Sequence, residues 1–171
     1  MATTHGRKPR TQRDHETRMT AEHHEDLRLW LRMLSCTNLV EAQIRSRLRL
    51  AFGTTLPRFD LMSQLERHPE GLKMGELARR MMVTGGNVTG ITDQLVAENL
   101  VVREDNPRDR RAYMVKLTKK GREVFGAMAR EHEHWIVELF AGLADARKHE
   151  LYALLAELKA HVATLEPRPA K

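Results

Sequence analysis

From about His24 to Phe52 the chain runs 29 residues without a glycine or a proline. Leu27, Leu31 and Leu34 recur at i, i+4 and i+7, and Val40, Ile44 and Leu48 continue the stripe. This predicts a first helix some 40 Å long at about 1.5 Å per residue. A helix of that length has more apolar face than a small core can cover, which points to a second chain. The near-absence of aromatics, 5% of the sequence, leaves the core to Leu, Val, Ile, Met and Ala. That palette favours helices.

The rest of the 171 residues divides at turn signals. Pro57 suits the first turn of a second helix, whose apolar face is Phe59, Leu61, Met62 and Leu65. His68-Pro69-Glu70-Gly71 ends it, and a short helix follows with Met74, Leu77, Ala78 and Met81 at helical spacing. Thr84-Gly85-Gly86 marks a turn, with Thr84 as N-cap of a helix reaching about Asn99 and burying Val88, Ile91 and Leu95. Leu100-Val101-Val102 and Tyr113-Met114-Val115 are strand-like and flank a polar tip, Asp105 to Arg111. Thr118 is placed to cap a helix carrying Phe125, Met128, Trp135 and Leu139, and a last helix starts near Asp145. Leu151, Leu154, Leu155, Leu158, Val162 and Leu165 form an apolar stripe along it.

The order helix, helix, turn, helix, hairpin describes a mainly α winged helix-turn-helix with a two-stranded β-wing. Its parts suit double-stranded DNA. A recognition helix buries one face and offers short polar groups to base edges on the other. Here those groups are Asn87, Thr89, Gly90 and Gln94, while Thr84 and the amides of Gly85 and Gly86 sit at the positive helix end that favours a phosphate. The net charge of +6 is concentrated: Val101 to Arg122 holds eight Lys and Arg against three acids. Arg108, Arg110 and Arg111 at a hairpin tip repel one another unless an anion lies between them, and a minor groove attracts such arginines. Asp109 is suited to pair with a neighbouring Arg and fix the loop.

Other classes fit less well. No His, Cys, Asp or Glu spacing suggests a metal, no cofactor motif is present, and no Ser or Cys stands in a nucleophile context, so the chain is not read as an enzyme. The lone Cys36 forms no intrachain disulfide, and no apolar run nears the roughly 18 residues of a membrane span. A cytoplasmic protein with no membrane contact is expected.

Asp105-Asn106-Pro107-Arg108-Asp109-Arg110-Arg111, followed by Val115-Lys116-Leu117-Thr118-Lys119-Lys120-Gly121, resembles the wing signature of the MarR family of regulators, with an Asn inserted before the Pro. That insertion leaves open whether Arg108 or Arg110 is the minor-groove residue. Trp30-Leu31-Arg32-Met33-Leu34, Leu56 to Met62 and Met82 to Gly90 are similar to the CouR-like branch that answers to hydroxycinnamoyl-CoA thioesters. The resemblance covers about residues 25–165. It implies a homodimer whose first and last helices interlock as a dimerisation domain, and an effector site between that domain and the wing.

The resulting organisation is a disordered basic arm over 1–22, a first dimerisation helix over 23–56, a winged domain over 57–122, and a connecting plus C-terminal dimerisation helix over 118–166. The implied function is a repressor on a pseudo-palindromic operator, released by an aromatic acyl-CoA such as p-coumaroyl-CoA or feruloyl-CoA. Arg45, Arg47, Arg49 and Arg58 are assigned to the CoA phosphates, and Trp30, Leu34, Cys36 and Phe59 to the aryl slot. A free phenolic acid, or oxidation of Cys36, is the alternative signal, set against Cys36 as a buried or pocket-lining residue.

Overall fold

The computed structural model describes residues 25–81, 85–106 and 109–165. The basic arm expected over 1–22 and the tail from 166 lie outside the described residues. The elements are α1 (Glu25–Phe52), α2 (Leu56–Glu66), β1 (Leu72–Lys73), α3 (Met74–Met81), α4 (Gly85–Ala97), β2 (Val101–Asn106), β3 (Asp109–Leu117), α5 (Lys119–Phe140) and α6 (Asp145–Ala163). The boundary between two compact units falls between Leu56 and Pro57.

In the first unit, α1 is continuous, as its uninterrupted sequence requires. Glu25 and Asp26 stand in its first turn and Arg49 in its last, matching the helix dipole. Gly53 closes it at φ +60, a conformation glycine adopts without a Cβ penalty, and its N–H donates to the Arg49 carbonyl at 3.0 Å. Ile44 and Leu48 are buried, whereas Leu27, Trp30, Leu34 and Leu39 are exposed. Cys36 is exposed too, which sets aside its reading as a buried residue.

The second unit builds its core from Phe59, Leu61, Met62 and Leu65 of α2, Leu77 of α3, Val88, Ile91 and Leu95 of α4, Val101, Val115 and Leu117 of the sheet, and Phe125 and Met128 of α5. Helix α4 ends in a Schellman motif: Leu100 N–H donates to the Leu95 carbonyl and Asn99 N–H to that of Val96, both at 2.9 Å, with Asn99 at φ 57. Thr118 then joins three elements. Its hydroxyl accepts from Gly121 N–H at 2.9 Å as N-cap of α5, and donates to the Asn99 carbonyl at 2.8 Å. Gly121 is required there because a Cβ would lie 1.9 Å from the Leu100 carbonyl oxygen.

The wing differs from the sequence expectation in two ways. The sheet has three strands, in the order β1-β3-β2, because Leu72 pairs with Val115 and Lys73 with Met114. Two residues are too few to show a period, so β1 leaves no trace in the hydropathy pattern. It exists because Gly71, at φ +88, turns the chain against β3 where a Cβ would meet the Val115 carbonyl at 2.8 Å. The strands are also longer than their apolar runs. Pairing extends from Val101↔Leu117 to Asn106↔Asp109, leaving only Pro107 and Arg108 between the strands, outside the described residues. Arg103 to Asp105 join the ladder despite their charge, because a wing strand has a face open to water. The register slips between Asp105↔Tyr113 and Asn106↔Asp109, so Arg110, Arg111 and Ala112 have no counterparts on β2.

Helix α6 buries nothing in the single chain. Leu151, Leu154, Leu155, Leu158, Val162 and Leu165 are all exposed. No described helix is long and apolar enough to cross a membrane.

Candidate nucleic-acid interface

Helix α4 separates into two faces. Val88, Ile91, Thr92 and Leu95 are buried, and the Thr92 hydroxyl is satisfied by donating to the Val88 carbonyl at 2.8 Å. Asn87, Thr89, Gly90 and Gln94 are exposed. At about 100° per residue, however, the middle of the exposed face runs through Gly90, Asp93 and Ala97. Asn87 and Gln94 lie on one flank and Thr89 on the other. Asp93 is therefore the polar side chain nearest the centre, and the sequence reading passed over it. Its Oδ1 accepts from Arg103 Nη2 of β2 at 2.5 Å, a contact between helix and wing that no local spacing reveals.

Gly85 and Gly86 open α4, while Thr84 lies outside the described residues. Asp109, Arg110 and Arg111 lie on the first part of β3, where Asp109 pairs with Asn106, and Arg108 lies outside the described residues. The remaining basic residues of this stretch are largely committed. Lys116 pairs with Glu104 at 2.8 Å, a contact that raises the Lys116 pKa above its ordinary value. Lys120 donates to the Glu98 carbonyl at 3.0 Å and Arg122 to that of Leu117 at 2.9 Å. The local surplus of positive charge thus partly braces the wing itself. Helix α3 adds cations the sequence reading left out: Arg79 and Arg80 are exposed in its last turn, Arg80 held by Glu76 at 2.7 Å.

On α1 the expected effector residues fall on different faces. Arg45 and Arg49 share a face of α1, but Arg47 lies about 200° round the helix from each. Arg45 pairs with Glu41. Arg58 pairs with Glu98 at the end of α4, and its side chain is only 17% exposed, so it is not the open cation a phosphate needs. Trp30 and Leu34 share an exposed face of α1, from which Cys36 points away by about 200° relative to Leu34.

Phe59 is different. It is buried with its ring 5.4 Å from Phe125 and 4.9 Å from His132, and it lines a cavity of about 430 Å³ between α2 and α5. Ser63, Glu66, Arg67, Ala129 and His132 complete most of the wall. Burial holds the His132 imidazole below its ordinary pKa, so at pH 7 it is neutral, with one N–H donor and one acceptor. Local spacing assigns no ligand role to Ser63, Arg67 or His132: Ser63 and Arg67 stand four and eight residues after Phe59 and His132 seven after Phe125, but which helix faces which is not visible along the chain.

The MarR family model matches residues 52–112, from the end of α1 to the first half of β3. A crystal structure of a MarR family transcriptional regulator from Silicibacter pomeroyi superimposes with a TM-score of 0.71 at 30% identity, covering 84% of this chain and 99% of that one. The chain belongs to the MarR family of transcriptional regulators. Its winged helix-turn-helix is thereby the family's fold, and a MarR regulator from Streptomyces coelicolor solved in complex with DNA shares it, with a TM-score of 0.71, 22% identity, and coverage of 90% of this chain and 95% of that one. BadR, a transcriptional activatory protein of Rhodopseudomonas palustris, is 32% identical over 60% of this chain and 59% of its own length. The chain thus spans less than two thirds of that curated relative. In this MarR member the matched segment holds α4, Asp93 and Arg103, but neither α6 nor the α5 wall of the cavity.

Proposed function

We propose that the protein is a homodimeric repressor that binds a pseudo-palindromic DNA operator. The observation that carries this is α4: a helix with one face sealed in the core and the other polar, open, and tied by Asp93–Arg103 to a wing. Asn87, Thr89 and Gln94 face bases, the Gly85 and Gly86 amides face a phosphate, and Arg108, Arg110 and Arg111, oriented by Asp109, grip the groove beyond. The exposed leucines of α6, and separately those of α1, support a second copy of the chain as partner, because apolar stripes of that length are costly to leave in water. Half-sites then lie about one helical turn apart. In a mobility-shift titration, affinity for the operator falls steeply as salt rises, since counterions are released from each neutralised phosphate. A salt slope near zero removes the proposal.

The effector is an aromatic acyl-CoA such as p-coumaroyl-CoA or feruloyl-CoA, its ring in the α2–α5 cavity. Phe59 and Phe125 supply the apolar wall, and Ser63 and neutral His132 supply partners for a phenol. The volume suits the aryl head of such a ligand and leaves the CoA portion outside. Arg67, which makes no ion pair among the described residues, supports the second reading, a free phenolic acid with its carboxylate on that guanidinium. The exposure of Cys36 supports oxidation as a third signal. A ligand releases DNA only by preferring the non-binding dimer, and a shift from 1:99 to 99:1 takes about 5.5 kcal/mol of differential affinity. Release of labelled operator by matched concentrations of p-coumaroyl-CoA, p-coumarate, CoA and peroxide separates the readings. Release by the thioester alone supports the first. Equal release by the acid transfers the role to the phenolic acid. Release by peroxide that Cys36→Ser abolishes transfers it to the thiol.

A further inference from the structure

Two side-chain amides on α4, those of Asn87 and Gln94, are exposed. At about 100° per residue they lie about 20° apart, on one flank of the helix. At about 1.5 Å per residue they are separated by about 10.5 Å along its axis. Between them, on the outer face, stands Gly90. Gly53 and Gly71 are glycines because their φ is positive, and Gly121 because a Cβ would strike the Leu100 carbonyl. Gly90 has neither reason: its φ is not positive, and a Cβ there would meet nothing within 4 Å. A glycine inside a helix lowers stability relative to alanine, so the fold of the chain gains nothing from this one. What a missing side chain does supply is close approach of a second molecule to the backbone.

We infer that α4 reads two adenines on one strand of each half-site, two to three base pairs apart, with Asn87 on one, Gln94 on the other and Gly90 setting how closely the helix docks. The inference rests on the DNA-binding reading above and extends it to particular bases. A side-chain amide presents an acceptor beside a donor, which complements the N6 amino group and N7 of adenine in the major groove. Guanine presents two acceptors there, O6 and N7, and repels the amide oxygen. Side chains on one flank of a helix face one strand, so the two adenines share a strand. Their separation follows from the two rises. About 10.5 Å spans about three steps of 3.4 Å along the duplex axis, and fewer along the groove, whose oblique path is longer per step. Asn87 is one methylene shorter than Gln94, so its reach decides how near the backbone must come. A side chain at position 90 would hold the helix away from the base edges.

The test is selection by the full-length protein from a randomised double-stranded DNA pool, followed by mobility-shift titration of single-base variants of the selected duplex. The wild type enriches two adenines per half-site, on one strand and at that spacing. Asn87→Ala lowers discrimination at one of them by about tenfold, and Gln94→Ala does so at the other. Gln94→Arg moves its own position toward guanine, to whose O6 and N7 a guanidinium donates twice, and leaves the Asn87 position as it was. Gly90→Ala melts no lower than the wild type yet binds the selected duplex about tenfold more weakly. Asn87 and Gln94 are exposed, so thermal melting of their variants tracks the wild type. Responding positions that are adjacent, more than three base pairs apart or on opposite strands overturn the inference. So does an equal loss on all sequences from Asn87→Ala or Gln94→Ala, which assigns that amide to the DNA backbone. Undiminished binding by Gly90→Ala overturns the close docking. If the wild type selects sites and no position responds to either amide, the inference fails while the DNA-binding reading stands. If the wild type selects no sequence at all, both fall together.

Discussion

Helices α4 and α6 both carry an apolar stripe at helical spacing, and the molecule treats them in opposite ways. Val88, Ile91 and Leu95 of α4 are covered by their own chain, whereas Leu151, Leu154, Leu155 and Leu158 of α6 remain open to solvent. The caps follow the same division. Asn99 closes α4 with a Schellman motif and Thr118 locks the next helix onto it, while the N-cap of α6 is Ala144, which offers no side-chain hydrogen bond. Periodicity thus reports that a face exists and stays silent about which molecule covers it. One helix belongs to the folding of the chain. The other keeps its apolar stripe in the open.

The comparison breaks most readily at the stripes. Leu95→Ala leaves a cavity in a closed core and costs about 3 kcal/mol in urea denaturation, at any protein concentration. Leu154→Ala, at a position 56% exposed, leaves the unfolding free energy of the dilute chain within about 0.5 kcal/mol and lowers it only at concentrations where copies associate. An equal, concentration-independent loss for both shows that α6 is not an association surface.

Glycines sharpen the contrast within the winged unit. Gly121→Ala forces a methyl against the Leu100 carbonyl and lowers stability by about 2 kcal/mol. Gly90→Ala, on the open face of α4, raises it by up to about 1 kcal/mol through helix propensity. Melting temperatures of the two variants therefore move in opposite directions. If both fall, the face of α4 is not open.

The caps give a smaller effect. Thr118→Ala removes the hydrogen bond to Gly121 and the tie to Asn99, a loss of about 1 kcal/mol. Ala144→Asp supplies α6 with the cap it lacks and gains about 0.5 kcal/mol, read by helicity and melting.

The smallest effect is one of pH. Burial lowers the folded-state pKa of His132 below 6.5, so between the two values the unfolded chain binds the extra proton. The contribution is complete above pH 6.5 and declines as pH falls through the lowered value. His132→Gln flattens the stability profile in that window. A profile unchanged by the substitution shows that the imidazole is not desolvated beside Phe59.

Much of the fold was legible because helices announce themselves through a period and their ends through Gly, Thr and Pro. The buried side of α4 and the Thr118 cap follow from such local rules. The third strand did not, since Leu72 and Lys73 form a strand only because β3 lies beside them. For the same reason the arginines assigned together to a phosphate separate in the structure. Arg47 lies across α1 from Arg45 and Arg49, and Arg58 is taken by Glu98, 40 residues further along the chain. Asp93 was within reach of a helical projection, but its partner Arg103 was not.

The sequence by itself determined the helices, their apolar faces, the basic wing and the family, because these depend on residues a few positions apart. Only the tertiary structure decided which charges meet across elements, that Phe59, Ser63, Arg67 and His132 share one cavity, and that no residue of α6 is buried. The physical reason is range. Capping, propensity and periodicity act along the backbone over one or two turns. Ion pairs, cavities and burial depend on which segments the fold brings together, and no local spacing encodes that choice.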